Sequence, residues 1–276
     1  MDQKQLDRLT EWFGGYIQPF YSPDGDEFLN GNLRLKECHT HRVCGYTRQL
    51  AGQLGLDENE TRLAETIALL HDIGRFEQFA RYRTYKDTAS ENHSLLGLRI
   101  LRAEKCLEGL AEEEKRIIET AVEHHNALRI PEGIEGGTLL FAKIIRDADK
   151  LDIYDLTVEN FRRYHEDPTG YKLEIEFPDE PYYSPELLDT LQRGELLDYR
   201  LVRTMNDVKL LEIGWVYDVY FAFTLRQIAE KRYIEQLAER LPATKEVQRA
   251  VRGVMRYMHR RTEQTDYNGA AGKLSG

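Results

Sequence analysis

A chain of 276 residues, 41% hydrophobic and 31% charged, has room for one sizeable core with an appendage, and no run of about eighteen apolar residues is present to span a membrane. A formal net charge of −10 disfavours nonspecific nucleic-acid binding, which needs a basic face, but leaves small phosphorylated substrates open wherever metal ions and local arginines reverse the field. Three cysteines at no zinc-like spacing (Cys38, Cys44 and Cys106), and no apolar signal region behind Met1–Gln5, fit free thiols in a reducing cytoplasm.

The first 36 residues combine a short amphipathic stretch, Leu6, Leu9 and Phe13, with a turn-rich passage from Pro19 to Asn32. A helix is predicted over about 37–54, with Val43, Tyr46, Thr47, Leu50 and Leu54 on its apolar face. His39 lies four residues before Val43 and shares that face, whereas His41, about 200° further round, points away. Gly55 closes this helix, and Asp57 with Glu60 has the form of a capping box opening the next. There the stripe Leu63, Ile67, Leu70 runs directly into His71-Asp72, and Gly74 terminates the helix. Arg75–Ala89, with Phe76, Phe79, Arg81, Tyr82, Arg83, Tyr85 and Lys86, reads as a loop or broken helix beside that pair.

Ser90 is the N-cap expected for a helix of about 91–104, with His93 in its first turn in line with Leu96, Gly97, Ile100 and Leu101. A mid-helix glycine costs about 1 kcal/mol against alanine, so Gly97 implies a close helix contact. Glu112, Glu113 and Glu114 open another helix, whose apolar stripe leads to His124 and His125. Pro131-Glu132-Gly133 breaks the chain before a helix of about 138–151, on which Phe141, Ile145 and Asp149 share a face. Beyond about 166, Asp167-Pro168-Thr169-Gly170 is a turn, and Tyr171–Phe177 alternates like a short exposed strand. Pro178, Pro181 and Pro185 keep the next stretch irregular before two helices of about 205–240 and 244–261. The division read from this pattern is a helical core, 1–165, carrying the functional residues, and a mainly helical C-terminal extension, 166–276, that caps a cleft or forms an interface, a homodimer included. His165 and His259 are read as structural.

Seven side chains stand out: His39, His71, Asp72, His93, His124, His125 and Asp149. All are imidazoles or carboxylates on the inner faces of five successive helices. Buried without partners, each would be strongly unfavourable, and a shared metal site removes that cost.

His39-Thr40-His41-Arg42-Val43, the doublet in Leu69-Leu70-His71-Asp72-Ile73-Gly74, and Asp147-Ala148-Asp149-Lys150-Leu151 resemble the HD superfamily of metal-dependent phosphohydrolases. His93-Ser94-Leu95-Leu96-Gly97 and His124-His125 are similar to its subset with more than one metal, related to the HD-GYP cyclic-dinucleotide phosphodiesterases. The resemblance spans about 37–155 and implies an all-α, phosphodiesterase-like helical bundle. It also implies one metal held by His39, His71, Asp72 and Asp149, and a second held by Asp72, His93, His124 and His125, with Asp72 bridging. The chain departs from the pattern at two places: Arg75 stands where the family commonly has lysine, and Asn126-Ala127-Leu128-Arg129-Ile130 replaces the Gly-Tyr-Pro loop. The substrate is therefore left open by the resemblance.

Two divalent ions (Mn, Mg, Fe, Ni or Zn) sharing a carboxylate lower the pKa of a bridging water, which attacks phosphorus in line. The expected activity is hydrolysis of a phosphoester in a nucleotide or similar small metabolite. Catalytic roles are expected for Asp72, Arg75 and Lys150, and phosphate contacts for Arg75, Arg81, Arg83 and Arg146. Two other readings use the same residues: a mixed-valent di-iron oxygenase of the same helical family, and a regulatory module that binds a nucleotide without turnover. No nucleic-acid or membrane partner is expected.

Overall fold

Asp2, Asp26, Asp57 and Asn92 each accept a hydrogen bond from a first-turn N–H of the helix that follows, which fixes where four of the helices begin. The computed structural model describes residues 1–167 and 177–263. It is all-α, as the sequence pattern implies, and no strand occurs among the described residues. The alternating stretch 171–177 lies, all but its last residue, outside the described residues.

The chain divides into two compact units within one helix, the first ending at Asp149 and the second beginning at Lys150. The first contains α1 (Gln3–Ile17), α2 (Glu27–Leu54), α3 (Glu58–Leu70), α4 (Gly74–Tyr82), α5 (His93–Ala103), α6 (Glu112–His124) and the start of α7 (Gly136–Glu166). Here α3 packs against α1, α2 and α6, and α5 packs against α4 and α6. Leu33, Val43, Leu50, Ala68, Leu70, Ile73, Phe76, Ile117, Ile118, Ala121 and Val122 form its fully buried centre. Each large apolar side chain there stabilises the fold by roughly 1.5–3 kcal/mol, enough together to hold several polar groups in place.

Several elements differ from the sequence pattern. Helix α2 starts ten residues before the expected 37, because Asp26 caps it and the turn-like Asn32 is absorbed, its Nδ2 donating to Phe28 O at 2.8 Å. The stretch after Gly74 is helical to Tyr82 and ends with Arg83 in the left-handed region. Asn92, not Ser90, caps α5, accepting from Ser94 N and Leu95 N. The Asp57–Glu60 capping box is present in full. Helix α7 runs on to Glu166.

Glycine decides one helix crossing. A Cβ on Gly74 would meet His93 O at 2.2 Å and Gly97 N at 2.7 Å. Gly74 therefore opens α4 against the backbone of α5, and does not end α3 as expected. Gly97 lies in the same crossing, where a Cβ would meet Ile73 Cγ2 at 3.3 Å.

The second unit holds α8 (Pro185–Arg193), α9 (Met205–Gly214), α10 (Ala222–Glu230), α11 (Tyr233–Ala238) and α12 (Lys245–Thr262). Pro185 starts a helix, since a missing N–H costs nothing at the first helical position. The expected single helix 205–240 is three, interrupted by a 3-10 turn at Trp215–Asp218 and by Arg232 in the left-handed region. Helix α9 is buried on nearly every side, and the Asp207 carboxylate accepts from Ser184 N and Oγ, Arg203 N and Thr204 N. No helix of the described residues is long and apolar enough to cross a membrane.

Candidate metal centre

Helices α3 and α6 end by the same device. His71 and His125 occupy their C-caps with helical backbone angles, and each Nδ1 lies 2.7 Å from a carbonyl three residues back, Ala68 O and Val122 O. A carbonyl only accepts, so both Nδ1 atoms carry the proton and both Nε2 atoms present a lone pair. The same bond satisfies a last-turn carbonyl that helix geometry leaves without a partner. His93 is oriented differently: it is the first residue of α5, and its Nδ1 donates to Asp87 Oδ2 at 2.8 Å. His39 is buried on α2, on the face predicted from Val43, while His41 is exposed.

The four imidazoles converge on Asp72. Its Oδ2 faces His39 Nε2 at 3.5 Å and His71 Nε2 at 3.6 Å. Its Oδ1 faces His93 Nε2 at 3.4 Å and His125 Nε2 at 3.6 Å. One carboxylate thus serves two adjoining buried groups able to hold a metal ion, His39-His71-Asp72 and Asp72-His93-His125. Asp149 lies beside the first, its Oδ1 3.2 Å from His39 Nε2 and 3.8 Å from His71 Nε2.

Electrostatics shows that these groups fit a divalent cation. Burial pushes His71 down to about 4 and His93 down to about 3, so both are neutral near pH 7. His71 Nε2 is then a buried lone pair with no hydrogen-bond partner. His93 Nε2 and His125 Nε2 stand 3.0 Å apart with lone pairs facing, which is repulsive unless a cation lies between their directions. Two imidazole nitrogens each about 2.1 Å from one ion, at right angles to each other, would stand about 3 Å apart. Burial alone would raise the Asp72 pKa, but Lys36 and then His71 hold it well below the usual carboxylate range. Burial likewise opposes ionisation of Asp149, and the hydrogen bond with His39 holds it low. Imidazole nitrogen and carboxylate oxygen are both donors that divalent metal ions accept.

Of the seven predicted ligands, His124 is not brought into either group. His125 is buried and faces Asp72, whereas the His124 side chain remains 24% exposed, with Glu123 Oε2 4.0 Å from its Nε2. Arg75 Nε lies 3.5 Å from Asp72 Oδ1, and its Nη1 donates to Gln78 Oε1, Tyr85 O and Asp87 Oδ1. The other cations expected to meet phosphate are engaged elsewhere. Arg81 pairs with Glu77 and Arg83 with Asp26, both at the surface. Arg146 is buried, and its Nη1 donates to the carbonyls of His124, His125 and Ala127, bracing the turn after α6. Lys150 is buried and pairs with Asp218 at 2.8 Å within the second unit. Of the aromatic residues after Gly74, Phe76 and Phe79 are core.

Two residues of the site escape the sequence pattern. Lys36 Nζ donates to Asp72 Oδ2 at 2.8 Å. It lies one turn before His39 on the same face of α2, a signal hidden because the predicted helix began at 37. Asp87 binds His93 Nδ1, Arg75 Nη1, Gln78 Nε2 and Asn126 Nδ2, and these contacts bring its pKa down to about 2 although burial works against them. It sits in a 3-10 turn whose path no local pattern reveals.

Residues 37–154 match the family model of the HD domain, so that stretch, which contains every member of both groups, is an HD domain. HD domains form a superfamily of metal-dependent hydrolases, generally phosphohydrolases. No curated protein and no solved structure gives a significant match to the chain.

Proposed function

We propose that the protein, whose residues 37–154 form an HD domain, is a metal-dependent phosphohydrolase. Its substrate is a phosphoester of a nucleotide or related small phosphorylated metabolite. The observation that carries this reading is the placement of Asp72, whose two carboxylate oxygens each face a separate pair of imidazole Nε2 atoms. A lone metal needs no such division of one carboxylate.

His39, His71, Asp72 and Asp149 would hold one divalent ion, and Asp72, His93 and His125 the other. Bound there, such ions supply an activated water near neutral pH and positive charge for the phosphoryl oxygens. The chain's own residues then do three things. The Nδ1–H bonds of His71 and His125 to Ala68 O and Val122 O fix the rings, so that the Nε2 lone pairs are aimed before anything binds. Asp87 does the same for His93. Arg75, pinned through Nη1, places a fixed positive charge beside Asp72 and balances the carboxylates of the site.

A screen of phosphomono- and phosphodiester nucleotides with added manganese, magnesium, iron, nickel or zinc tests the reading. Wild-type protein is expected to hydrolyse at least one class with one of these metals, and Asp72→Ala to abolish that hydrolysis. Unchanged turnover in Asp72→Ala would refute the bridging role. Activity that instead requires iron and oxygen, with release of an oxidised product, would replace phosphoester hydrolysis by oxygenase chemistry.

A further inference from the structure

Phosphoryl transfer to water needs a positive group that contacts the phosphoryl oxygens, and most cations near this site have other partners. Arg81 and Arg83 pair with surface carboxylates, Arg146 Nη1 serves three carbonyls, and Arg75 Nη1 is held by three acceptors. Lys36 differs from all of them. Its Nζ lies 2.8 Å from Asp72 Oδ2, at the carboxylate shared by both groups, and its side chain is 16% exposed where that of Asp72 is 4%, so it joins a buried ligand to solvent.

An ammonium carries three N–H donors. That of Lys36 has one hydrogen bond among the described residues, to Asp72, and its other contact is the face of Tyr85 at 5.5 Å. A ring face attracts the charge without accepting along an N–H as strongly as an oxygen does. Donors therefore remain for an incoming oxyanion. The stem is guided as well. Tyr85 donates its hydroxyl to Asn32 O at 2.8 Å, one turn before Lys36 on α2, which holds the ring beside the lysine. The Asp72 oxygen that binds Lys36 also faces His39 and His71, and an oxygen sharing its charge with a divalent ion holds an ammonium less strongly. A compact charge on a flexible stem can then follow a phosphoryl oxygen, which a pinned guanidinium cannot.

We infer that Lys36 binds the phosphoryl group of the substrate, donating from Nζ to a non-bridging oxygen beside Asp72. This rests on the phosphohydrolase reading and adds a residue just outside the matched 37–154 stretch.

The test uses the full chain loaded with manganese, as wild type, Lys36→Met and Lys36→Arg. Three quantities are read: manganese bound per chain by mass spectrometry, inorganic phosphate binding by calorimetry, and KM and kcat for p-nitrophenyl phosphate. Lys36→Met is expected to keep its manganese and lose phosphate affinity by about 10- to 100-fold, the range for a charge-assisted hydrogen bond, with Lys36→Arg recovering part of it. Phosphate affinity unchanged in Lys36→Met would overturn the assignment, as would wild type that binds no phosphate. Loss of manganese in both variants would also overturn it, since Lys36 would then serve only to assemble the ligands. If wild type binds phosphate yet hydrolyses no phosphoester, the phosphohydrolase reading fails, and the calorimetric comparison still decides the role of Lys36.

Discussion

Replacing Gly74 by alanine adds one methyl group at the point where α4 meets α5. The new Cβ would fall 2.2 Å from His93 O and 2.7 Å from Gly97 N, an i→i−4 carbonyl and amide in the first turn of α5. Neither atom can rotate away, because both belong to the backbone. Ordinary contact requires α5 to retreat by about 1 Å, and overpacking of this kind costs about 1–3 kcal/mol, with backbone against backbone at the upper end. The retreating residue is a ligand, so the damage is also chemical: His93 moves away from Asp72 and His125, and a displacement of about 1 Å at a reacting site can cost about 100-fold in rate. Urea denaturation of metal-free Gly74→Ala should show a loss of about 3 kcal/mol, and metal titration should show weakened binding at the His93 group with the His39 group retained. Gly97→Ala is the control. Its nearest neighbour is the Ile73 Cγ2 methyl at 3.3 Å, a side-chain atom that can shift, and alanine gains up to about 1 kcal/mol of helix propensity. Gly74→Ala with wild-type stability and undiminished binding of both ions would refute the close-crossing argument.

Asp87→Ala removes the acceptor of His93 Nδ1, and such losses weaken metal binding by about 10- to 100-fold, so calorimetry should show one affinity falling and the other holding. Arg146→Met leaves three carbonyls after α6 without their shared donor and is expected to cost about 3 kcal/mol or more; a loss below about 1 kcal/mol in urea denaturation would contradict the brace. In the second unit, burial raises the Glu212 carboxyl from 4.5 to about 8; Oε1 accepts from Thr157, and Oε2 has no hydrogen-bond partner. Because the folded pKa is the higher one, its stabilising contribution is complete below 4.5 and is lost as the pH rises to about 8, at roughly 1.4 kcal/mol per pH unit. Glu212→Gln should flatten this part of the stability profile, and an unchanged slope between about pH 5 and 8 would contradict the assignment.

The metal-binding residue types and the helical class were legible in the chain because both rest on local spacing. A period of three to four joins His39 to Val43 and Ile67 to His71, and that alone separates His39 from His41. Caps were legible where one side chain decides them, as at Asp57. What spacing could not supply was anything that depends on a second segment. Two adjacent histidines on one stripe looked equivalent until folding buried His125 against Asp72 and left His124 24% exposed. Gly74 read as a terminator until the backbone of α5 was placed against it. Of the breaks in 205–240, the first follows Gly214, a signal outweighed by the apolar periodicity around it, while the one at Arg232 is marked by no composition signal. Lys36 and Asp87 are charged residues in a chain rich in charge, and only their positions beside Asp72 and His93 distinguish them. Residue type alone settles which atoms are able to bind a metal, because donor chemistry belongs to the side chain itself. Which of those atoms share a carboxylate, and which cation stands next to it, is settled by folding, since those are distances between segments far apart in the chain.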